Sequence, residues 1–204
     1  MEKFFALPQE KQDNIIASAM GVFGAVGYKK AYISDIAAAA GISKALVFYY
    51  FGNKKTLYLY LIEYAGKIMA TAVALKRDTD TTDFFDRIVD ATRLKLSVMS
   101  SYPAISGFLT SIYYENEPEV AADIKTLLSQ GENIRSQIVL NGTDRSKFKN
   151  GVDPELVMNI LVKFAEGAIG SRLDHANPID EIMAEFTQCL NLLKNNLYKE
   201  EYLK

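Results

Sequence analysis

The sequence has few of the residues from which metal sites and disulfides are built. Cysteine and histidine occur once each, as Cys189 and His175. One cysteine excludes an intrachain disulfide, and one cysteine with one histidine cannot furnish an ordinary structural zinc site. We therefore expect no metal and no cofactor, and a protein that works in the reducing cytoplasm.

Membrane and export signals are also missing. The start of the chain, Met1-Glu2-Lys3, is followed by a short mixed stretch rather than an apolar run, so we expect no secretory signal. The longest uncharged run, residues 96–114, is long enough to raise the question of a membrane span. Because it contains Pro103 and several hydroxyl side chains, we predict a buried core segment broken near Pro103, and no membrane partner.

Motifs of catalysis are lacking as well. No Gly-x-Ser-x-Gly sequence accompanies His175. Gly21, Gly24 and Gly27 do not have the spacing of a dinucleotide or phosphate loop, and they lie in an amphipathic segment where close packing or capping is expected. We predict that the chain is not an enzyme.

Charge is present but unevenly placed. The formal net charge is −2, yet residues 1–60 carry seven lysines against four acids, a net of +3, so the rest of the chain sums to −5. A mildly basic head on an acidic body is typical of a nucleic-acid-binding module joined to a part with a second function.

Helical periodicity covers almost the whole chain, and no strand-like alternation stands out. We predict an all-α fold. The expected helices cover about residues 8–27, 34–40, 44–50, 54–76, 82–101, 104–115, 118–140, 154–174 and 178–198. Residues 141–152, rich in glycine, asparagine and charge, are predicted to form an exposed loop.

The most informative segment is residues 33–51, where Gly41-Ile42-Ser43 separates two short helices. Such an arrangement is typical of a helix-turn-helix, in which the second helix enters the DNA major groove. Packed helical hairpins share the same pattern, so the side chains are needed to distinguish a hairpin from a DNA-binding helix-turn-helix. Val47 and Phe51 lie four residues apart and are predicted to face the core. The outer surface is then formed by Lys44, Ala45, Leu46, Phe48 and Tyr49.

That outer surface offers specific contacts to a DNA duplex. Lys44 could bind guanine acceptors or a phosphate, and Ala45 and Phe48 could contact thymine methyl groups. Hydroxyl and ammonium groups that follow are natural phosphate partners, which fix the register without reading the bases. These are Tyr49, Tyr50 and Lys54. The predicted DNA-binding set also includes Ser43, which can cap the second helix, and Tyr32, whose phenol could supply a hydroxyl phosphate contact or helix cap.

Several short motifs occur in a specific order and spacing. They are Gly27-Tyr28, Asp35-Ile36-Ala37, Ala40-Gly41-Ile42-Ser43-Lys44, Phe48-Tyr49-Tyr50-Phe51 and Asn53-Lys54-Lys55. Over about residues 10–60, and without an insertion, they closely resemble the N-terminal signature of the TetR family of regulators. The departures are Ala31 and Tyr32 where a hydroxyl residue is frequent, Ala45 where glycine is frequent, Leu46 where a polar residue is usual, and Phe48 where tyrosine is usual. We therefore predict an unusually apolar recognition surface.

The resemblance implies a helix-turn-helix DNA-binding domain over residues 1–53 and a helical ligand-binding and dimerisation domain over residues 54–204. It also implies a homodimer formed through the last two helices, bound to a pseudo-palindromic operator in double-stranded DNA and released by a small-molecule effector. The last helix carries a matching apolar stripe. Its members are Ile182, Phe186, Leu190, Leu193 and Leu197. Such a stripe also suits an intrachain core, and that alternative stays open.

The effector pocket is predicted from aromatic and flexible apolar side chains in the body, although each of them also suits plain core. The candidates are Met99, Tyr102, Phe108, Tyr113, Met158, Phe164 and Glu166. The function predicted from the sequence is a ligand-responsive repressor. The alternative is a helical ligand-binding or interaction protein whose helix-turn-helix does not read DNA.

Overall fold

The computed structural model describes residues 1–76, 80–171 and 178–203, and its fold is all-α. Within these ranges, extended pairing is limited to an isolated antiparallel bridge between Phe148 and Tyr198. The helices are α1 (Glu2–Phe5), α2 (Gln9–Lys30), α3 (Ile33–Ala40), α4 (Lys44–Phe51), α5 (Lys54–Lys76), α6 (Phe84–Ser101), α7 (Pro103–Ile112), α8 (Pro118–Leu140), α9 (Pro154–Ser171) and α10 (Pro178–Leu197). No helix in the described part of the chain is long and apolar enough to span a membrane.

The predicted helices are confirmed to within a few residues, including the break at Pro103. The short helix α1 was not predicted, because four residues show no periodicity. The predicted loop over residues 141–152 contains a 3₁₀ turn, Arg145–Lys147, and its Phe148 is buried. That loop is therefore exposed only in part.

The described residues form two compact units. The first consists of Met1–Thr71 and Ser97–Gly131, and the second of Ala72–Leu96 and Glu132–Lys204. Helices α6 and α8 each contribute to both units. The functional division predicted at residue 53 is not tested by this partition and stays a prediction.

The core of the first unit is built on α2. The apolar side chains that recur at helical spacing on α2 and α3 are buried. They are Ile15, Ile16, Ala19, Met20 and Phe23 on α2, and Ile33, Ile36, Ala37 and Ala40 on α3. The core continues into α7, where the ring of Phe108 lies 6.4 Å from that of Phe23 and 5.5 Å from that of Tyr58.

Helices α2 and α7 approach each other closely at Gly24. A Cβ atom added to Gly24 would lie 2.9 Å from the backbone nitrogen of Phe108. Main-chain atoms cannot move away from an added Cβ atom as the end of a flexible side chain can. The close-packing role predicted for the glycines of this segment is thus confirmed at Gly24, while a Cβ at Gly21 would meet nothing within 4 Å.

We expect Gly24→Ala to lower the free energy of unfolding by about 1–3 kcal/mol, the usual cost of overpacking a close contact. Gly21→Ala is the matched control on the same helix, and it should stabilise by up to about 1 kcal/mol because alanine favours helix more than glycine does. Urea denaturation of both variants checks the pair. Equal effects of the two substitutions would contradict the close approach.

The second unit has its own core, in which the start of α6 packs against the loop after α8 and the residue that follows α10. The rings of Phe84, Phe85, Phe148 and Tyr198 lie 4.8–6.3 Å apart in edge and tilted contacts. The backbone nitrogen of Phe84 donates a hydrogen bond to the Tyr198 hydroxyl at 3.2 Å. The segment that follows α10 is therefore fastened to the start of α6.

Candidate nucleic-acid interface

The turn between α3 and α4 has the predicted construction. Gly41 ends α3 in the left-handed conformation (φ 68°), which glycine adopts without steric cost. The backbone nitrogen of Ile42 donates to the carbonyl of Ala37 at 3.0 Å. Ser43 then caps α4, since its Oγ accepts a hydrogen bond from the nitrogen of Leu46 at 3.2 Å. The hydroxyl of Ser43 is thereby directed to the helix end.

Helix α4 buries one face and exposes the other, as predicted. Val47 and Phe51 are 1% and 3% exposed. The opposite surface is formed by the exposed residues Lys44, Ala45, Leu46, Phe48 and Tyr49. Lys44 places its Nζ 5.9 Å from the centre of the Phe48 ring. The predicted apolar character of this surface is confirmed, since Lys44 is its single charged residue.

The two tyrosines of α4 lie in different surroundings. Tyr49 is 61% exposed, whereas Tyr50 is half-buried beside Phe4, with ring centres 6.3 Å apart. Phe4 itself is fully buried and lies 4.8 Å from the ring of Phe51. Helix α1 thus packs against the buried side of α4. Its role was missed because a contact between Phe4 and α4 leaves no local pattern.

Tyr32 occupies the position before α3. It is 66% exposed, and its side chain makes no capping hydrogen bond to that helix. The phenol therefore does not replace the hydroxyl cap that is frequent in the resembled family. It stands in solvent on the same helix-turn-helix.

Lys54, predicted to bind phosphate, is partly engaged within the chain. Its Nζ lies 4.4 Å from the centre of the Tyr28 ring and donates to the carbonyl of Lys29 at 3.3 Å. Burial lowers the pKa of Lys54. Asn53 caps α5, its Oδ1 accepting from the nitrogen of Thr56 at 2.8 Å. The ammonium group is thus fixed beside the first turn of α5.

The predicted effector-binding residues are divided between the two units. Met99, Tyr102, Phe108 and Tyr113 belong to the first unit, and Met158 and Phe164 to the second. The side chain of Glu166 on α9 lies outside the described part of the structure. Phe108 is completely buried in the core of its unit, while Tyr102 is 54% exposed.

The second unit contains a cavity of about 90 Å³ between α6, α8, α9 and α10. Of the predicted effector-binding residues, Met158 lines it. Residues of α6 that sequence reasoning missed contribute a full stripe, Ile88, Thr92 and Lys95. Their spacing of four and three residues is the signal that could have found them. Elsewhere on the wall lie Val139 and Phe186.

Metal binding has no evident place in the described ranges. No three histidine, cysteine, aspartate or glutamate side chains come together there as a group that could hold an ion.

The geometry of residues 33–51 defines a helix-turn-helix domain with an exposed second helix. Residues 15–61 match the family described as "Bacterial regulatory proteins, tetR family". The N-terminal part of the chain, residues 15–61, thus has the sequence of the TetR family.

Named relatives agree with this assignment. The chain is 28% identical over 126 residues to the HTH-type transcriptional regulator RutR of Escherichia coli K12, a match covering 59% of this chain and 58% of RutR. It is 28% identical over 138 residues to the nucleoid occlusion factor SlmA of Shewanella oneidensis, which covers 67% of this chain and 69% of SlmA. The fold is also similar to that of the fatty acid degradation regulator FadR from Bacillus halodurans, with a TM-score of 0.71, 18% identity, and coverage of 91% and 98% of the two chains.

Proposed function

We propose that this protein is a DNA-binding transcriptional regulator, a repressor that a small apolar or amphipathic molecule releases from its operator. The observation that carries the proposal is the exposed face of α4, held on a capped helix behind a left-handed glycine turn. A face of this kind suits binding rather than catalysis, so we propose no enzymatic activity. The place of action would be the cytoplasm.

The geometry of the helix-turn-helix supports a specific mode of DNA docking. The N-terminal end of α4 would enter the major groove, with Lys44, Ala45 and Phe48 facing base edges. Leu46 would sit beside them, and Ser43 would hold the helix end. Phosphates would be contacted by Tyr32, Tyr49, Tyr50 and Lys54 on either side of the groove.

The homodimer proposed to bind a pseudo-palindrome needs an apolar surface on the last two helices. Phe186 and Leu190 of the predicted stripe are buried within their own unit, whereas the side chain of Ile182 lies outside the described part of the structure. The support comes instead from apolar residues that this chain leaves in solvent. Leu156 and Ile160, one turn apart on α9, and Leu192 on α10 are 50–63% exposed. Covering them with a second copy would remove apolar area from water.

The cavity of the second unit supports an effector site. Its wall is mostly apolar, with Thr92 and Lys95 as the polar exceptions. Because ligand pockets usually measure about 300–1,000 Å³, an effector would have to enlarge this cavity on binding. Helices α6 and α8 line this cavity and also belong to the DNA-binding unit. A ligand that binds better to one arrangement of these helices would shift the DNA-binding equilibrium by that difference in affinity.

Salt dependence of DNA binding tests the proposed function. Two lysines in each of two heads, Lys44 and Lys54, predict a slope of about −3 to −4 for log affinity against log salt concentration, because each phosphate contact releases counterions. Gel retardation or fluorescence anisotropy on the DNA upstream of the protein's own gene measures it. Affinity that is independent of salt, or binding by a single head, would contradict the docking.

A second candidate function is an interaction protein whose α4 face contacts another protein. The exposed Leu46, Phe48 and Tyr49 favour it, and so does the similarity to a relative named as a nucleoid occlusion factor rather than as a transcriptional regulator. Failure to bind any duplex in the same experiment would favour this alternative.

A further inference from the structure

An acidic corner, defined as Glu115, Glu117 and Asp123, lies at the junction of α7 and α8 in the first unit. It faces three lysines, one at the end of α2 and two at the start of α5. These lysines, Lys29, Lys54 and Lys55, are close to the N-terminal end of α5, where a phosphate contact is proposed. The acidic corner therefore lies against ammonium groups that DNA phosphates would also bind.

Glu115 binds the main chain beside these lysines. Gly27 interrupts α2 with φ 74° and ψ 172°, a backbone conformation that favours glycine. The backbone nitrogen of Tyr28 donates to Oε2 of Glu115 at 2.6 Å, across 87 residues of sequence. The other oxygen, Oε1, accepts from the nitrogen of Glu117 at 2.9 Å. One carboxylate thus joins the end of α2 to the start of α8.

Two ion pairs surround this contact. Nζ of Lys29 lies 3.3 Å from Oε2 of Glu117, and Nζ of Lys55 lies 2.7 Å from Oδ2 of Asp123. Between them, Lys54 rests on the Tyr28 ring and donates to the carbonyl of Lys29. All three ammonium groups therefore have partners within the chain.

Resting on the proposed DNA binding, we propose that the acidic corner is an intramolecular competitor for DNA phosphate. In the free protein it holds Lys29 and Lys55 in ion pairs that phosphate has to replace. The affinity for DNA is then lower, and its salt dependence weaker, than the lysines of the head alone would give. The corner limits non-specific retention on DNA without touching the base-reading face.

The strength of the two ion pairs suits such a competition. Both are at least partly exposed, with side chains 24–79% accessible, and pairs of this kind contribute little net stability. A phosphate can therefore displace the carboxylate. Removing the carboxylate frees the lysine before DNA arrives, and a freed lysine steepens the salt slope by about 0.9 for each phosphate it neutralises.

The test compares E117Q and D123N with two variants that remove an ion-paired carboxylate from the second unit. Asp90 pairs with Arg93 at 3.7 Å, and Glu155 pairs with Arg145 at 3.1 Å. D90N and E155Q therefore match the change in net charge but lie in the other unit. Binding of a mixed-sequence duplex is measured as a function of NaCl concentration for the intact protein and each variant.

We expect E117Q and D123N each to tighten binding about two- to tenfold and to steepen the slope by about 1–2 for two heads, while D90N and E155Q change neither. Without DNA, the rate of acetylation of Lys29 should rise in E117Q, and that of Lys55 in D123N. Unchanged slopes, weaker binding, equal gains in the controls or unchanged acetylation would overturn the inference. A wild-type protein that binds no duplex would instead contradict the proposed function, and this inference with it.

Discussion

We expect Ala45→Glu to weaken DNA binding by about 100-fold or more, because juxtaposing like charges in an interface costs several kcal/mol. Ala45 is exposed in the first turn of α4, at the end proposed to enter the major groove. A carboxylate there would face the phosphates and the electronegative base edges. The same carboxylate suits the helix itself, since the N-terminal end of a helix favours negative charge.

Stability and DNA binding should therefore change in opposite directions in this variant. Urea denaturation should show an unfolding free energy unchanged or raised by up to about 1 kcal/mol. Ala17→Glu, which adds the same charge at an exposed site on α2, is the control and should bind DNA nearly as well as the wild type. If Ala45→Glu keeps its affinity while folded and dimeric, α4 is not the recognition helix.

The structure of α4 could be predicted almost completely because its determinants are local. The spacing of Val47 and Phe51 fixes the buried face, Gly41 ends the preceding helix, and Ser43 starts the next one. Each of these effects acts within about one helical turn. A single sequence therefore contains all of the information.

Contacts that join distant parts of the chain could not be predicted in this way. The sequence around Lys54 does not indicate its contact with the Tyr28 ring. Likewise, the sequence around Tyr28 does not indicate its hydrogen bond to Glu115. The contact of Phe4 with α4 is also not indicated by the residues around Phe4. Such pairings depend on how helices pack, which periodicity does not specify.

The residues that line the cavity could not be predicted for a different reason. Mostly aromatic and flexible apolar residues were predicted to line it, but large side chains also fill space, as Phe108 does in the first unit. A cavity forms where side chains are too small to meet, and small residues such as Ala91 and Ala165 line this one. Composition alone does not separate the two situations. The effector roles of the chosen residues stay predictions.

The largest effect on stability is expected at Asp83, which precedes α6 and is 8% exposed. Its Oδ1 accepts from the nitrogens of Phe85 and Asp86 at 3.1 and 3.2 Å, so it caps the helix. Ammonium groups of Lys147 and Lys194 lie 3.1 and 3.2 Å from its two oxygens. One carboxylate thus holds together the start of α6, the 3₁₀ turn and the end of α10.

Asp83→Ala should lower the free energy of unfolding by about 3 kcal/mol or more, the cost of breaking a largely buried ion pair. Asp153→Ala is the control, since Asp153 caps the start of α9 with a 3.0 Å hydrogen bond and is exposed. Loss of a cap alone should cost about 0.5–2 kcal/mol. Equal losses in the two variants would show that the lysines add nothing.

The pH dependence of stability separates the charge of Asp83 from its capping. Burial alone would raise the pKa of Asp83, but hydrogen bonds from Lys147, the Asp86 nitrogen and Lys194 outweigh it and hold that pKa below the ordinary 3.8. The contribution of the ionised group is therefore complete above pH 3.8 and is lost as the pH falls through the lowered pKa. Asp83→Asn keeps an oxygen for the cap but has no charge to lose. The stability difference between wild type and Asp83→Asn should be constant near neutral pH and shrink on acidification, and a difference that is independent of pH would assign the whole effect to packing.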